Sequence, residues 1–220
     1  MSDLTADGEK SRQIKNALRT RLLTFRRSLP DSVTLAAATK IQDQTLALVR
    51  RTGARDIAAY VPIGSEPGGP DLPNRLAEAL PPGGRLLLPI LLPDNDLDWA
   101  VFTGTLVQAS RGLLEPTGPR LGVTAIRTVD LLLVPALAVA DDGTRMGRGG
   151  GSYDRALSRL PSPRPSAPSS PGPSAHSSPG PLTVALLHDG ETLSSVPADP
   201  HDRAVQAVVT PTEGFSRRPV

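Results

Sequence analysis

The chain has 220 residues and a formal net charge of +2, with 24 Lys and Arg against 22 Asp and Glu, which is room for one ordinary domain with a substantial core. The absence of cysteine excludes a disulfide framework, a thiolate zinc site, an iron–sulfur cluster and a cysteine nucleophile, and the near balance of charge argues against a general nucleic-acid binder. Aromatic residues are only 3%, so the core must be built from Leu, Val, Ala and Ile, while 24 Pro and 20 Gly mark a low-complexity segment or a loop-rich fold.

In chain order, residues 9–28 carry Ile14, Leu18, Leu22 and Phe25 at near-helical spacing, which predicts one apolar stripe on a basic helix. Pro30-Asp31-Ser32 starts a second helix that runs to about Arg51, with Thr52-Gly53 at its end. DIAAYVPI (56–63) reads as a short buried strand, 71–80 as a helix, RLLLPILL (85–92) as a strand, and LDWAVF (97–102) as another after the turn residues PDND. VDLLLVPALAV (129–139) is the most hydrophobic run and has the length and composition of one central strand. YDRALSRL (153–160) suits a short helix, and LTVALLH (182–188) and AVQAVVT (204–210) two more strands. Helices interleaved with apolar strands predict a three-layer α/β/α domain around a parallel or mixed sheet, residues 1–220 forming a single unit. Within it PSPRPSAPSSPGPSAHSSPGP (161–181) has no aliphatic or aromatic anchor and reads as a disordered low-complexity insertion.

With His176, His188 and His201 the only histidines, no multi-histidine metal centre is expected. No apolar run approaches the roughly 20 residues of a membrane span, and the first fifteen residues lack the apolar core of a secretory signal. The expectation is a cytoplasmic monomer that acts on small molecules, without nucleic acid or membrane.

The chemistry concentrates in DDGTRMGRGGGSYDRAL (141–157). This loop follows the most buried run and precedes a helix, the place where open α/β sheets bind ligands. Gly147, Gly149, Gly150 and Gly151 let backbone N–H groups approach an anion, and Arg145 and Arg148 add charge. The composition is that of a phosphate cradle, although it fits neither the P-loop pattern nor the dinucleotide fingerprint. Asp154 suits either a helix N-cap or a magnesium ligand. Lys15 and Arg19 share one helical face, which from the helix alone reads as a solvated basic surface. Glu66 follows a strand, and taken alone it and Asp202 are ordinary loop acids; His201 reads as a surface residue and His188 as structural.

Together these pieces occur in an order that resembles the 5-formyltetrahydrofolate cyclo-ligase family, in its actinobacterial form. The resemblance rests on KNALR (15–19), YVPIGSE (60–66), RGLLEP (111–116), DLLLVPALAV (130–139) followed by GTRMGRGGGSYDRAL (143–157), and PADPHDRAVQAVVTP (197–211). It implies an enzyme that uses ATP and Mg2+ to convert 5-formyltetrahydrofolate to 5,10-methenyltetrahydrofolate by phosphorylating the formyl oxygen. It further implies that Lys15, Arg19, Arg145, Met146, Gly147, Arg148, Gly149, Gly150, Gly151, Ser152 and Tyr153 bind ATP. Val61, Glu66, Gly149, Gly150, Gly151 and Tyr153 would bind the folate, Asp154 and Asp202 the metal, and Arg148 and Tyr153 would be catalytic.

Many relatives carry two aromatics before the aspartate where this chain has Ser152-Tyr153, and some have lysine where it has Gly150. That leaves Tyr60, Trp99 and Tyr153 as the rings available to a pterin. The alternatives are a non-catalytic member of the same fold that binds nucleotide, folate or RNA, and a phosphotransfer enzyme with another small substrate.

Overall fold

The computed structural model describes residues 3–161, 180–199 and 202–219; the insertion, except at its ends, and His176 and His201 lie outside the described residues. Helix α1 (Asp3–Ser28) leads into α2 (Asp31–Thr52), which closes on Gly53 in the left-handed region with its N–H on the Val49 carbonyl at 3.0 Å. Strand β1 (Asp56–Ala58), α3 (Leu72–Ala79), β2 (Arg85–Leu91) and β3 (Leu97–Val101) follow. A hairpin of β4 (Leu106–Gln108) and β5 (Leu114–Pro116) precedes β6 (Leu131–Pro135), β7 (Ala138–Ala140) and β8 (Arg145–Met146). Helix α4 (Ser152–Ser158), β9 (Leu182–Leu186), β10 (Thr192–Leu193), β11 (Ala207–Thr210) and β12 (Gly214–Arg217) complete the chain.

The main sheet has the order β12-β11-β9-β6-β1-β2-β3. Its five inner strands are parallel, and antiparallel strands close both edges. Parallel strands need cover on both faces, and the burial shows it: Leu131, Leu132, Leu133 and Val134 of β6 are all 1% exposed or less. One face packs Ile57, Leu86, Leu131 and Leu133 against Ile41, Leu48 and Val49 of α2 and Leu72 and Leu76 of α3. The other packs Leu87, Trp99, Leu132 and Val134 against Ala156 and Leu157 of α4 and Ile126 of a short 3-10 turn. The expected three layers are therefore present, the second helical layer being thin.

Three expectations need correction. The run 129–139 is two strands, because β6 ends at Pro135 and the chain bends into a second, three-stranded sheet of order β10-β7-β8. Both halves are buried, so no polar alternation reveals the bend. The segment 56–63 is a strand only over Asp56–Ala58, and after one more bond, from the Ala59 N–H to the Leu87 carbonyl, the chain leaves the sheet. In α1, Leu22 is buried and Leu18 partly buried as expected, but Ile14 and Phe25 are exposed and the residues after them, Lys15 and Arg26, are buried instead. Leu22 packs on Leu137, Ala138 and Met146 at the small sheet, and the two cations are buried against carboxylates, Lys15 against Asp199 and Asp202 and Arg26 against Glu191.

Pro161 and Gly180 lie side by side, so the chain leaves and re-enters the domain at one point. Among the described residues no helix is long and apolar enough to cross a membrane.

Candidate active site

Strands β1, β6 and β9 are adjacent and parallel, so the loops that follow them emerge at one end of the sheet, where ligands bind in open α/β folds. The first carries Glu66, the second is the bend Pro135-Ala136, and the third carries His188 and Glu191. A cleft of about 340 Å³ opens there. Its walls are Tyr60, Val61 and Ile63 after β1, Leu91 and Leu97 from β2 and β3, and Arg111, Leu113 and Leu114 from the β4–β5 hairpin; its remaining edge is the loop from Gly147 to Asp154.

That loop follows β8 and not the central strand directly, since β7 and β8 intervene. Gly149 has φ 98° and Gly151 φ 73°, values that L side chains rarely adopt. Among the described residues no hydrogen bond within the protein uses an N–H group from Gly147 to Gly151. Such a row of outward donors can take up anionic oxygens.

Three ion pairs surround the loop. Arg145, 4% exposed, bonds Asp154 and also donates from Nη1 to the Pro135 carbonyl at 3.2 Å. Arg148 reaches Glu66 at 3.2 Å, and Glu66 also accepts the Ile63 N–H at 3.1 Å. At the cleft floor Arg26 donates from Nε and Nη2 to the two oxygens of Glu191 at 2.6 and 2.8 Å, and from Nη2 to the Ala136 carbonyl at 2.6 Å. Glu191 takes the His188 N–H at 2.8 Å, while His188 Nε2 donates to the Ser65 carbonyl at 3.0 Å. The network thus joins α1, the β6–β7 bend and the Glu66 loop.

On the far side of the loop, Arg19 Nε donates to the Gly147 carbonyl at 3.1 Å. Lys15 Nζ lies 2.6 Å from Asp199 and 2.7 Å from Asp202. Burial opposes its charge, but hydrogen bonds and attraction from the two carboxylates outweigh burial and raise its pKa above the ordinary 10.5. It is therefore a fixed cation.

The expected site residues accordingly fall into two groups that share the glycine loop. Val61, Glu66, Arg145, Gly147, Arg148, Gly149, Gly150, Gly151, Ser152, Tyr153 and Asp154 line the cleft. Lys15 and Asp202 pair outside it, and Arg19 reaches the glycine loop through the Gly147 carbonyl. Met146 is 2% exposed and packed in the core, leaving only its backbone to serve a ligand. Of the expected rings, Tyr60 and Tyr153 line the cleft and Trp99 is wholly buried between sheet and helix. Tyr60 donates to the Pro67 carbonyl at 2.5 Å. The Tyr153 hydroxyl is buried without a partner among the described residues. Burial, and then the nearby Glu66 charge, push that phenol above its usual range, which keeps it a proton donor.

Asp154 is not an N-cap: it stands in the first turn of α4, whose capping position is Gly151, with no side-chain cap. Asp154 pairs with Arg145 and Asp202 with Lys15, and among the described residues no three metal-ligating side chains cluster. This donor set fits a magnesium ion shared with phosphate oxygens, which needs only one or two carboxylates, and does not fit an all-protein cage. Sequence reasoning missed Arg26, Glu191, Asp199, Arg111 and Glu115, although Asp199 stood in the quoted motif PADPHDRAVQAVVTP and Arg111 and Glu115 in RGLLEP.

The sequence model of the 5-formyltetrahydrofolate cyclo-ligase family matches residues 11–211. Over 207 residues the chain is 38% identical to the 5-formyltetrahydrofolate cyclo-ligase of Mycolicibacterium smegmatis, covering 91% of this chain and 95% of that protein. It is 35% identical over 114 residues to the mitochondrial 5-formyltetrahydrofolate cyclo-ligase of Arabidopsis thaliana, covering 49% of this chain and 39% of that one. The fold is similar to that of the Aquifex aeolicus 5,10-methenyltetrahydrofolate synthetase, with a TM-score of 0.71 at 24% identity over 93% of this chain and 92% of that one. It is also similar to that of the Mycoplasma pneumoniae 5,10-methenyltetrahydrofolate synthetase, with a TM-score of 0.60 at 19% identity, over 88% and 96%.

Proposed function

The chain belongs to the 5-formyltetrahydrofolate cyclo-ligase family, and from that premise we propose that it closes 5-formyltetrahydrofolate to 5,10-methenyltetrahydrofolate with ATP and magnesium. The observation that carries this reading is the position of the glycine loop. It borders the apolar cleft on one side and is held by Arg19 on the other, so two ligands can meet across it. Phosphoryl transfer requires that meeting, since most of its catalysis lies in alignment and charge stabilisation.

In this reading the folate ring system lies between Val61, Tyr60 and the leucine walls, with Glu66 accepting hydrogen bonds from the pterin. The triphosphate lies on the N–H groups of Gly147 to Ser152, with Lys15, Arg19 and Arg145 around it. The formyl oxygen attacks the γ-phosphorus and ADP leaves. N10 then attacks the resulting imidate carbon and loses its proton, and the former formyl oxygen departs in inorganic phosphate as the ring closes. Hydroxide would be a poor leaving group from that carbon; phosphate is a good one.

Arg148 is the cation that follows the transferred group, passing from Glu66 to the phosphoryl oxygens. Tyr153, held protonated, donates from its buried hydroxyl to a ligand oxygen. Asp154 and Asp202 would hold magnesium together with the phosphates, and the ion would supply charge neutralisation on them. The enzyme would work as a cytoplasmic monomer on small molecules alone.

The test follows methenyltetrahydrofolate absorbance after 5-formyltetrahydrofolate is added to the full chain with ATP and magnesium. Growth that requires all three components supports the reading. Calorimetry with 5-formyltetrahydrofolate separates the other outcomes: binding without turnover points to a non-catalytic member, and no binding refutes a folate substrate. Arg148→Ala should remove turnover by about 100-fold or more while leaving the unfolding midpoint unchanged.

A further inference from the structure

Four arginines line the cleft: Arg26, Arg111, Arg145 and Arg148. Three of them are neutralised in place, Arg26 by Glu191, Arg145 by Asp154 and Arg148 by Glu66. Arg111 differs. Among the described residues its partner is an uncharged amide, with Nη1 donating to Asn95 Oδ1 at 2.7 Å, and its side chain is exposed at the rim.

The backbone at this residue is also unusual. Arg111 sits at φ 58° and ψ 23°, in the left-handed region, and Gly112 follows at φ 72°. The turn joins the two strands of the β4–β5 hairpin, with the Ala109 N–H on the Leu113 carbonyl at 2.9 Å. Glycine would adopt this conformation without cost, and an L-residue does not. Folding alone therefore gives no reason for arginine here, and strain of this kind points to a role for the side chain. Asn95, the residue that orients the guanidinium, is itself left-handed at φ 63°, a turn conformation that asparagine tolerates, so the strain rests on Arg111.

From these observations, and resting on the cyclo-ligase reading above, we propose that Arg111 receives a carboxylate of the substrate's glutamyl tail. The ring system of 5-formyltetrahydrofolate is uncharged, and its negative charge lies in the two tail carboxylates. The apolar walls suit the rings, and Arg111 is the lining cation that has no carboxylate of its own among the described residues. A guanidinium presents a flat fork that matches a carboxylate with two parallel hydrogen bonds. The bond from Nη1 to Asn95 fixes that fork and leaves its other edge for the ligand.

Arg111→Gly tests this without threatening the fold, because glycine suits the turn and relieves the strain; its unfolding midpoint should not fall. The full-length protein and the variant are compared on 5-formyltetrahydrofolate and on its glutamyl diamide, which keeps the tail's length and removes both charges. Affinity is read by calorimetry without nucleotide, and KM and kcat are read with ATP. The variant should bind 5-formyltetrahydrofolate about tenfold more weakly, the scale of one hydrogen-bonded charge pair, with kcat unchanged. The diamide should bind both proteins equally. Equal affinity of the two proteins for 5-formyltetrahydrofolate, or the same loss with the diamide, overturns the assignment while the parent's turnover leaves the proposed function standing. A parent protein that neither binds nor converts 5-formyltetrahydrofolate overturns both.

Discussion

Arg26→Ala should be among the most destabilising single substitutions in the molecule. Arg26 is 2% exposed and Glu191 is wholly buried. Truncation removes three hydrogen bonds, two to Glu191 and one to the Ala136 carbonyl, and among the described residues leaves the Glu191 carboxylate with only the His188 N–H. Breaking a buried pair from one side costs about 3–5 kcal/mol, against a total stability of about 5–15 kcal/mol for a domain. The same reasoning makes the pair itself nearly neutral, since an apolar replacement avoids desolvating either charge. The double variant Arg26→Met with Glu191→Leu should therefore recover most of the loss. Urea unfolding followed by circular dichroism gives the midpoint, with an unchanged slope showing that the folded surface is preserved. A loss below about 1 kcal/mol in Arg26→Ala, or losses in Arg26→Met alone and Glu191→Leu alone that simply add in the double, would refute the buried pair as the link between α1 and the floor of the cleft.

Two further outcomes follow from the geometry. Gly149→Ala forces a side chain onto φ 98° with its methyl about 3.5 Å from the Arg19 guanidinium carbon; it should cost about 1–3 kcal/mol and raise the KM for ATP. Gly150→Ala meets nothing closer than Ser152 Oγ at 3.9 Å and should do neither, so identical behaviour of the two would contradict the loop conformation. At the other end of β1, hydrogen bonds from Arg85 hold the Asp56 carboxyl below its ordinary 3.8. Stability gained from ionised Asp56 is then present above pH 3.8 and lost as the pH falls through the lower folded value. Asp56→Asn should be less stable than the parent at neutral pH, with the gap closing below pH 3.8; a gap that persists into stronger acid contradicts the ion pair.

The elements that could be read from the sequence were those whose burial leaves a pattern. The glycine loop was legible because four glycines and two arginines beside an apolar run narrow the chemistry by composition alone. The bend at Pro135 was not, because a strand passing from one buried sheet to another keeps its hydrophobicity throughout. Short strands such as β4, β8 and β10 are defined by their partners and have no period of their own. Arg26 and Glu191 stand 165 residues apart. Alone, an arginine on a helix and a glutamate in a turn read as surface charges, and only the fold makes them one buried unit.

The scarcity of aromatic residues takes on meaning in the cleft. Trp99 is spent on the core, and Tyr60 holds its loop through the Pro67 carbonyl, so Tyr153 is the lining ring whose polar atom has no partner among the described residues. The apolar walls are otherwise leucine, isoleucine, valine, proline and alanine. Such walls gain free energy from buried area, at about 25 cal/mol per Å², and set few directional demands on a flat ligand. Orientation must then come from polar groups placed around the leucines: Glu66 in the loop after β1, the glycine loop along one edge, and Arg111 at the rim. In a cleft lined this way the groups beside the glycine loop aim the rings, and loss of the rim anchor Arg111 should weaken the hold on a charged tail without changing how the rings are buried. For that reason the hairpin arginine, unremarkable in the sequence, bears on specificity.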